Sequence, residues 1–190
     1  LDLIILATSN LPANDSLAFY VLSKLEISVI RGDDTDVLSR FANAEEKYQT
    51  DYSVRVTADN PFISFEYIDK LIDFAQSGNL DYCNIDGLPL GLGAEIYKSA
   101  KLLEFSKIRD IEWYCREHTT PYFYEHPELY KIHRLRIDAN ATGLTHEIIE
   151  RMRLTIDTDA DLEVAKIIYS DLYTGAPIPT TAILNYCAMN

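Results

Sequence analysis

The fold of this chain is decided by the stretch VRVTADNPFI at Val54–Ile63. Its first residues are mostly β-branched, which favours a strand, predicted here at Ser53–Thr57. Pro61 fixes the loop that follows, and Ser64 is placed to cap a helix. A strand, a polar loop and a capped helix make one β-α unit, so this stretch predicts a parallel sheet with helices packed against it.

Similar units occur on both sides of this stretch. Short apolar runs that suit buried parallel strands occur at Leu3–Ala7, Ile27–Ile30 and Tyr82–Ile85. Segments with helical spacing lie between most of these runs, which implies right-handed crossovers. We therefore predict an α/β fold, a three-layer sandwich with a mostly parallel sheet, formed as one domain by residues 1–190.

The second half of the chain is less regular. Strands are predicted at Ala94–Tyr97, Tyr130–Ile137 and Arg153–Ile156, and a helix is predicted at about Ala160–Tyr173. Two prolines bracket the aromatic segment Tyr122–Tyr124, which we predict as a turn. The prediction of the fold therefore depends on the repeated β-α units of the first half.

Composition excludes several classes of protein. Lys and Arg total 17 against 30 Asp and Glu, a net charge of −13, whereas a general nucleic-acid binder needs a basic surface to displace counterions from phosphates. The three cysteines show neither disulfide nor metal-binding spacing, so we expect a reducing compartment, the cytoplasm. No apolar run approaches the roughly 20 residues of a membrane-spanning helix, so no membrane partner is expected.

Two aspartates follow predicted strands at positions where α/β sheets bind ligands. Asp59 comes just after Ser53–Thr57, and Asp157 comes just after Arg153–Ile156. Because ligands bind beyond the carboxyl ends of such strands, the two carboxylates could hold a Mg²⁺ ion that also binds substrate phosphates. The alternatives are that Asp59 is a turn residue and Asp157 a helix N-cap, since aspartate is favoured in both roles.

The stretch Val54–Ile63 resembles the pattern V-R-[IV]-T-[GA]-D-[CNS]-P-[LF]-I of the spore-coat-polysaccharide cytidylyltransferase family, which is related to the acylneuraminate and Kdo cytidylyltransferases. Further segments resemble the family's other motifs and follow in its order: Leu6–Asn10, Arg31–Arg40, Gly91–Ile96, Arg116–Tyr122 and Arg153–Thr158. One of them departs from the family pattern, because Gly93 stands where the family usually has Asp. Six ordered segments across nearly the whole chain make the resemblance specific.

The resemblance implies a fold and a reaction. The fold would be that of the nucleotide-diphospho-sugar transferases, which is Rossmann-like, and family members often pair into homodimers. The reaction would transfer CMP from CTP, or the equivalent group of another nucleoside triphosphate, to a sugar or sugar acid. Pyrophosphate would leave, and the product would serve the synthesis of a surface polysaccharide.

The resemblance also implies a set of site residues. The catalytic residues, which bind the Mg²⁺ ion, would be Asp59 and Asp157. Contacts with the nucleotide would come from Ser9, Arg31, Arg40 and Asn60. Contacts with the acceptor would come from Glu95, Arg116 and His118. Other interpretations stay open, since Arg31 and Arg40 also suit a solvated surface pair, and Arg116–His118 also suits a helix end with a structural histidine.

The family begins with a strand and a loop of the type R-x-x-S-x-R-L-P-G-K, which holds the triphosphate and the cytosine. No such loop precedes Leu6–Asn10, so we expect the first β-loop-α element of the fold to be missing, as in a shortened chain. Two other functions therefore stay open. One is a catalytically silent relative that binds a nucleotide-sugar or a partner enzyme, and the other is a metal-dependent glycosyltransferase of similar architecture.

Overall fold

Strands and helices alternate through the first half of the chain in the computed structural model, which describes residues 1–138 and 144–189. The elements are, in chain order, β1 (Ile5–Ser9), α1 (Asp15–Lys24), β2 (Ser28–Gly32), α2 (Val37–Tyr48), β3 (Tyr52–Arg55), α3 (Phe65–Ser77), β4 (Tyr82–Asp86), β5 (Glu95–Lys98), α4 (Ser99–Ser106), α5 (Trp113–His118), α6 (Pro121–Glu125), β6 (Ile132–Arg136), α7 (His146–Arg151), α8 (Asp159–Leu172) and α9 (Thr180–Met189). The predicted α/β class is confirmed.

The chain divides into two compact units. The first unit comprises Leu1–Ser53 and Lys98–Tyr130, and the second comprises Val54–Tyr97 and Lys131–Asn190. The proposal that residues 1–190 form one domain stays a prediction. None of the helices within the described ranges combines the length and the apolar composition that crossing a bilayer requires.

The first unit contains a parallel strand pair. Strands β1 and β2 run in the same direction, as strands joined by a helical crossover should, and α1 provides that crossover. Helix α2 follows β2 and begins where the Asp36 carboxylate accepts a hydrogen bond from the Ser39 amide (3.0 Å). It ends at Tyr48, because the next residue, Gln49, has a left-handed φ of 51° that stops the helix.

Aromatic rings form part of the core of the first unit. The predicted turn at Tyr122–Tyr124 is wrong, because these residues lie in helix α6, which begins at Pro121. Proline is favoured at the first position of a helix, where its missing N–H has no partner to lose. Phe123 is fully buried with its ring edge-on to Phe105, at a centroid distance of 5.0 Å. The aromatic residues here therefore have a packing role.

The second unit is built on a four-stranded sheet in the order β3-β5-β4-β6. Strands β4 and β6 are parallel, as predicted, whereas β5 runs antiparallel to β4. A loop rather than a helix connects β4 to β5, and a connection without a crossover returns the chain in the opposite direction. Ser64 caps α3, as predicted, by accepting a hydrogen bond from the Tyr67 amide.

The core of the second unit lies behind the loops that carry the candidate site. Its buried apolar residues are Phe62, Leu92, Leu154, Ala165, Ile168, Ile183 and Leu184. Phe62 and Leu154 lie three residues from Asp59 and Asp157, respectively, so the packing of this core fixes the backbone on which both carboxylates are carried.

Candidate functional site

Asp59 lies on a tight turn just after strand β3. The amide of Asn60 donates to the Thr57 carbonyl (3.1 Å), and the Asn60 side-chain amide donates to the Thr57 hydroxyl (2.7 Å). These two bonds close the turn and leave the Asp59 side chain exposed. The interpretation of Asp59 as a turn residue is therefore correct, and the turn presents its carboxylate to solvent.

Asp157 lies just before helix α8 and is not its N-cap. That role belongs to Thr158, whose hydroxyl accepts from the Asp161 amide, while the Asp161 carboxylate accepts from the Thr158 amide (2.8 Å). The hydroxyl of Thr158 and the amide of Asp157 lower the pKa of Asp161, since both stabilise its charged form. The carboxylate of Asp157 instead pairs with Arg153.

The segment before Asp157 does not form the predicted strand Arg153–Ile156. It forms one parallel bridge, between Leu90 and Arg153. Its two neighbours, the backbone around Leu90 and the backbone around Asp59, are loops rather than strands, so no longer ladder forms. The Leu154 amide donates to the Leu90 carbonyl (2.9 Å), and the Ile156 amide donates to the Asp59 carbonyl (2.8 Å).

The Asp59 turn and the segment leading to Asp157 therefore lie side by side. Besides the bond from Ile156, the Thr155 hydroxyl donates to the Asp59 carboxylate (3.3 Å). Asp157 itself lines a surface cavity of about 410 Å³ together with Ile156 and Thr158. Two carboxylates that are far apart in the sequence are thus carried on neighbouring backbone segments.

Asp59 and Asp157 are residues whose carboxylate oxygens a magnesium ion would use as ligands. Within the described part of the chain, no cluster of three or more metal-ligating side chains occurs. Mg²⁺ does not need one, because it is usually bound by one or two carboxylates and completes its shell with waters and substrate phosphates. Arg153, the partner of Asp157, is about half exposed (52%), so the ion pair is weak and easily exchanged.

A second cavity, of about 270 Å³, opens beside the Asp59 turn. Thr57 and Asn60 line it, as do Arg55 at the end of β3 and Glu95 at the start of β5. Arg55 donates to one Glu95 oxygen (2.9 Å), and the Tyr82 hydroxyl donates to the other (2.5 Å). Glu95 is therefore part of this cavity wall, and we name the feature the Arg55–Glu95 cavity.

The sequence reasoning missed Arg55 and Asn84 in this cavity. A signal for Arg55 was present, because it lies two residues before Thr57 in the matched stretch, and alternate residues of a strand point to the same face. No local pattern marks Asn84.

Ser9 and Arg31 lie close together in the first unit, where both form hydrogen bonds with the loop that follows β1. The Ser9 hydroxyl accepts from the Leu11 amide (3.0 Å) and from the Asn14 side chain (3.1 Å). Arg31 donates to the backbone carbonyls of Ser9 and Leu11 (3.0 Å each) and pairs with Asp15 (2.7 Å). Their contact with a nucleotide stays a prediction.

The other predicted residues of the first unit lie on helices. Arg40 packs its aliphatic stem against Gly32, where an added Cβ would come within 2.8 Å of the Arg40 Cγ. Arg116 pairs with Asp36 (3.0 Å) and donates to the Ile108 carbonyl. His118 is exposed at the end of α5. The structure thus places Asp59, Asn60, Glu95 and Asp157 in the second unit and the remaining predicted residues in the first.

Comparison with known proteins assigns the family. A family model described as cytidylyltransferase matches residues 1–174. The chain belongs to the cytidylyltransferase family.

Two curated relatives match this chain. An uncharacterized protein of Methanocaldococcus jannaschii is 38% identical over 166 residues, which are 86% of this chain and 64% of the relative. The spore coat polysaccharide biosynthesis protein SpsF of Bacillus subtilis is 32% identical over 168 residues, which are 88% of this chain and 67% of SpsF. The chain therefore spans about two thirds of the length of these relatives.

Solved structures share the fold of this chain. A cytidylyltransferase from Leptospira borgpetersenii has a TM-score of 0.83 at 24% identity, covering 98% of this chain and 76% of that chain. A CMP:2-keto-3-deoxy-manno-octonic acid synthetase, solved as a complex with CTP, has a TM-score of 0.63 at 12% identity, covering 90% of this chain and 83% of that chain. At these identities the likeness concerns the fold alone.

Proposed function

We propose that this protein is a Mg²⁺-dependent cytidylyltransferase that transfers CMP from CTP to a sugar or sugar acid, for the synthesis of a surface polysaccharide. Membership of the cytidylyltransferase family supports the reaction class. The relative SpsF supports the polysaccharide context, and the fold shared with a CTP-bound synthetase supports the choice of nucleotide. A cytoplasmic location and a homodimer belong to the same proposal, as does the absence of nucleic-acid and membrane partners.

One observation carries the proposal: the hydrogen bond from the Ile156 amide to the Asp59 carbonyl (2.8 Å), which holds the Asp59 turn against the segment that ends at Asp157. Asp59 and Asp157 would hold the ion, and the Thr155 hydroxyl, at 3.3 Å from the Asp59 carboxylate, would orient one of them. A bound Mg²⁺ would neutralise phosphate charge and favour in-line displacement at the α-phosphate.

The bond changes in this transfer are simple. A hydroxyl oxygen of the acceptor bonds to the α-phosphorus of CTP, and the bond from that phosphorus to the bridging oxygen breaks. Pyrophosphate leaves with the electron pair, and the hydroxyl proton passes to water. Because the protein forms no covalent bond, its contribution is to position the reactants and offset their charge.

Replacing either aspartate should abolish most of the transfer. For Asp59→Asn and Asp157→Asn we expect pyrophosphate release from CTP to fall by about 100-fold or more, because each change removes a carboxylate ligand. The full-length gene product would be assayed with Mg²⁺, each nucleoside triphosphate and a panel of sugars and sugar acids. Asp73→Asn is the matched control, since Asp73 is an exposed aspartate of α3 in the same unit.

The same assay separates the competing functions. Unchanged pyrophosphate release in both aspartate variants would contradict the assignment of the site. Tight CTP binding without pyrophosphate release, for any acceptor, would favour a catalytically silent relative. Binding of a UDP-sugar with Mg²⁺, in preference to CTP, would favour the glycosyltransferase.

A further inference from the structure

Strand β6 lies at one end of the sheet of the second unit. The strand order is β3-β5-β4-β6, and β6 pairs with β4 along its whole length, from Tyr82 opposite Ile132 to Asp86 opposite Arg136. Among the residues that the structure describes, no strand pairs with the other side of β6. An edge strand presents a row of unpaired backbone groups, so another extended segment can add to the sheet there.

Alternate residues of β6 direct their backbone groups away from β4. The Lys131 carbonyl accepts a hydrogen bond from the Asp81 amide (2.8 Å) at the start of the strand. At its end, the Ile137 amide donates to the Asp86 carbonyl (2.8 Å). The odd-numbered residues therefore bond to β4, and the residues between them face outward, because bonds to one neighbour use every second residue of a parallel strand. The outward-facing residues are Ile132, Arg134 and Arg136.

Most of the outward-facing backbone groups are available to a partner. The Arg134 amide donates to Nδ1 of His133 (2.8 Å) and is thus engaged. The amides of Ile132 and Arg136, and the carbonyls of all three outward-facing residues, form no hydrogen bond with another described residue. Edge β6 therefore offers both donors and acceptors for strand addition.

The strand is basic although the protein is acidic. Lys131, Arg134 and Arg136 bring three of the 17 Lys and Arg residues into this short stretch, whereas the net charge of the chain is −13. Arg134 is exposed and forms no ion pair with another described residue. Arg136 lies 3.8 Å from Asp86, with 82% of its side chain exposed, so that pair is weak. The charges of both arginines are therefore available to an anionic partner.

The position of β6 is fixed before any partner binds. The ring of His133 lies edge-on to Phe74 of α3, at a centroid distance of 5.1 Å. Lys131 donates its amide to the Asp81 carboxylate (2.9 Å) and its Nζ to the Gly78 carbonyl (2.6 Å). Because β6 is already ordered, a partner strand does not have to offset the entropy of ordering it.

The charges on β6 select the kind of partner. If two copies of β6 paired antiparallel about a two-fold axis at Arg134, the two Arg134 side chains would face each other, and like charges in that position are destabilising. A nucleic acid offers negative charge but no row of peptide groups to pair with the edge. An extended peptide segment that carries carboxylates satisfies both the backbone groups and the arginines.

We propose that β6 is a docking edge for an extended acidic segment of a partner protein. The segment adds to the sheet beside β6 and places its carboxylates against Arg134 and Arg136. Because alternate side chains of a strand share a face, the segment has acidic residues at every second position. This docking is independent of the transfer reaction, since β6 contains none of the residues assigned to the candidate site.

The test uses fluorescein-labelled heptapeptides and fluorescence polarisation, at an ionic strength of about 0.15 M. The main probe alternates Thr with Glu, and two matched probes carry Gln or Lys in place of Glu. A fourth probe alternates Thr with Glu but has N-methyl groups on alternate backbone nitrogens, which remove the donors needed for strand pairing. We expect the Thr–Glu probe to bind saturably, about tenfold or more tightly than each of the other three.

Each alternative result has a defined meaning. Absence of saturable binding by the Thr–Glu probe would overturn the proposal. Equal binding of the N-methylated probe would also overturn it, because the attraction would then be ionic without strand addition. The site is located by hydrogen exchange, which the Thr–Glu probe should slow at the amides of Ile132 and Arg136. Protection at other strands but not at these amides would contradict the assignment to β6.

Arg134→Glu provides the second measurement. We expect it to weaken the Thr–Glu probe by about tenfold or more and to strengthen the Thr–Lys probe, since the charge facing the partner is reversed. Lys166→Glu is the matched control, because it makes the same change in net charge at an exposed position of α8. Equal effects of the two substitutions would contradict a local role for Arg134.

Other occupants of the edge are distinguished in the same experiments. Protection of the Ile132 and Arg136 amides that rises with protein concentration, without peptide, would assign β6 to a second copy and overturn the proposal. Displacement of the Thr–Glu probe by an equal concentration of a DNA duplex would assign it to polyanions in general. Pyrophosphate release should be the same in Arg134→Glu as in the unaltered protein, so failure of the docking proposal leaves the transferase proposal standing, and the reverse also holds.

Discussion

At Gly91, two backbone segments of the second unit approach each other closely beside the site. The φ of Gly91, +99°, lies in the region that favours glycine. A Cβ at this position would come within 2.6 Å of the Leu154 carbonyl carbon and 2.9 Å of the Thr155 nitrogen. Since Thr155 contacts Asp59, a side chain at position 91 would press on the segment that positions both aspartates.

We expect Gly91→Ala to destabilise the fold by about 1–3 kcal/mol, because a left-handed backbone is strained for alanine and the added carbon meets backbone atoms that cannot move aside. Pyrophosphate release should fall as well. Chemical denaturation measures the first effect. Gly93→Ala is the control, since its Cβ would meet only the Ile85 carbonyl oxygen, at 3.9 Å, and should cost less than about 1 kcal/mol. Equal losses in the two variants would contradict this account.

The sequence predicts some residues of the candidate site and not others. Asp59 could be predicted as a candidate site residue because it directly follows a predicted strand. Asn60, the next residue, closes the turn that presents Asp59 by donating to the Thr57 hydroxyl. The pairing of Arg55 with Glu95 could not be predicted from the sequence, because the two residues are 40 positions apart and meet only when β3 and β5 join one sheet. Long-range ion pairs of this kind leave no periodicity in the sequence.

The start of helix α8 is set by a reciprocal cap. Thr158 and Asp161 each accept a hydrogen bond from the other's backbone amide, which satisfies donors that a helix start would otherwise leave unpaired. The sequence offered Asp157 as a candidate N-cap, and the structure moves the cap by one residue. That shift frees the Asp157 carboxylate for other contacts.

We expect Asp161→Asn to lower the stability of the protein at neutral pH but not in acid. The pKa of Asp161 is lowered from its ordinary value of 3.8 by the Thr158 hydroxyl and the Asp157 amide. A carboxyl with a lowered pKa stabilises the fold above its unfolded pKa, and this contribution disappears as the pH falls through the folded pKa. The stability gap between the two proteins, from urea titrations, should therefore close below about pH 4.

Asp159→Asn is the matched control for the cap. It removes the same charge from the first turn of α8 and leaves the reciprocal bonds of Thr158 and Asp161 in place. If both variants show the same pH profile, the charge of the helix start rather than the cap explains the effect.

Helices and strands were predicted well where a local sequence signal determines them, and poorly where they depend on a neighbouring element. Ser64 begins α3 as expected, because a capping residue before an amphipathic run is a local signal. The segment Arg153–Ile156 alternates like a strand but makes only isolated bonds, since a strand also needs a neighbouring strand to pair with. The direction of β5 likewise depends on the length of the loop before it.

The negative charge of the protein disfavours nucleic-acid partners. The net charge of −13 repels phosphate backbones, and the few cations of the candidate site are engaged with carboxylates. Mixed in low salt with a fluorescein-labelled DNA duplex, the protein should leave the fluorescence polarisation unchanged. Saturable binding that weakens as salt is added would contradict this prediction, and a basic DNA-binding protein serves as the positive control.

The family could be recognised from sequence because six motifs keep their order along the chain, and the match of the family model to residues 1–174 confirms it. The acceptor could not be named in this way. Substrate choice depends on the shape and charge of a whole pocket, whose walls come from residues far apart in the sequence, and short motifs do not define these.

The amide proton that Ile156 shares with the Asp59 carbonyl has a further use. Solvent deuterium can replace this proton only when the Asp59 turn and the segment that contains Ile156 separate. The exchange rate of the proton therefore measures how often these two segments come apart. Ligands that hold these two segments together will slow the exchange, and ligands that bind elsewhere will leave it unchanged. The exchange of one backbone proton thus makes occupancy of the site observable by magnetic resonance without a catalytic assay.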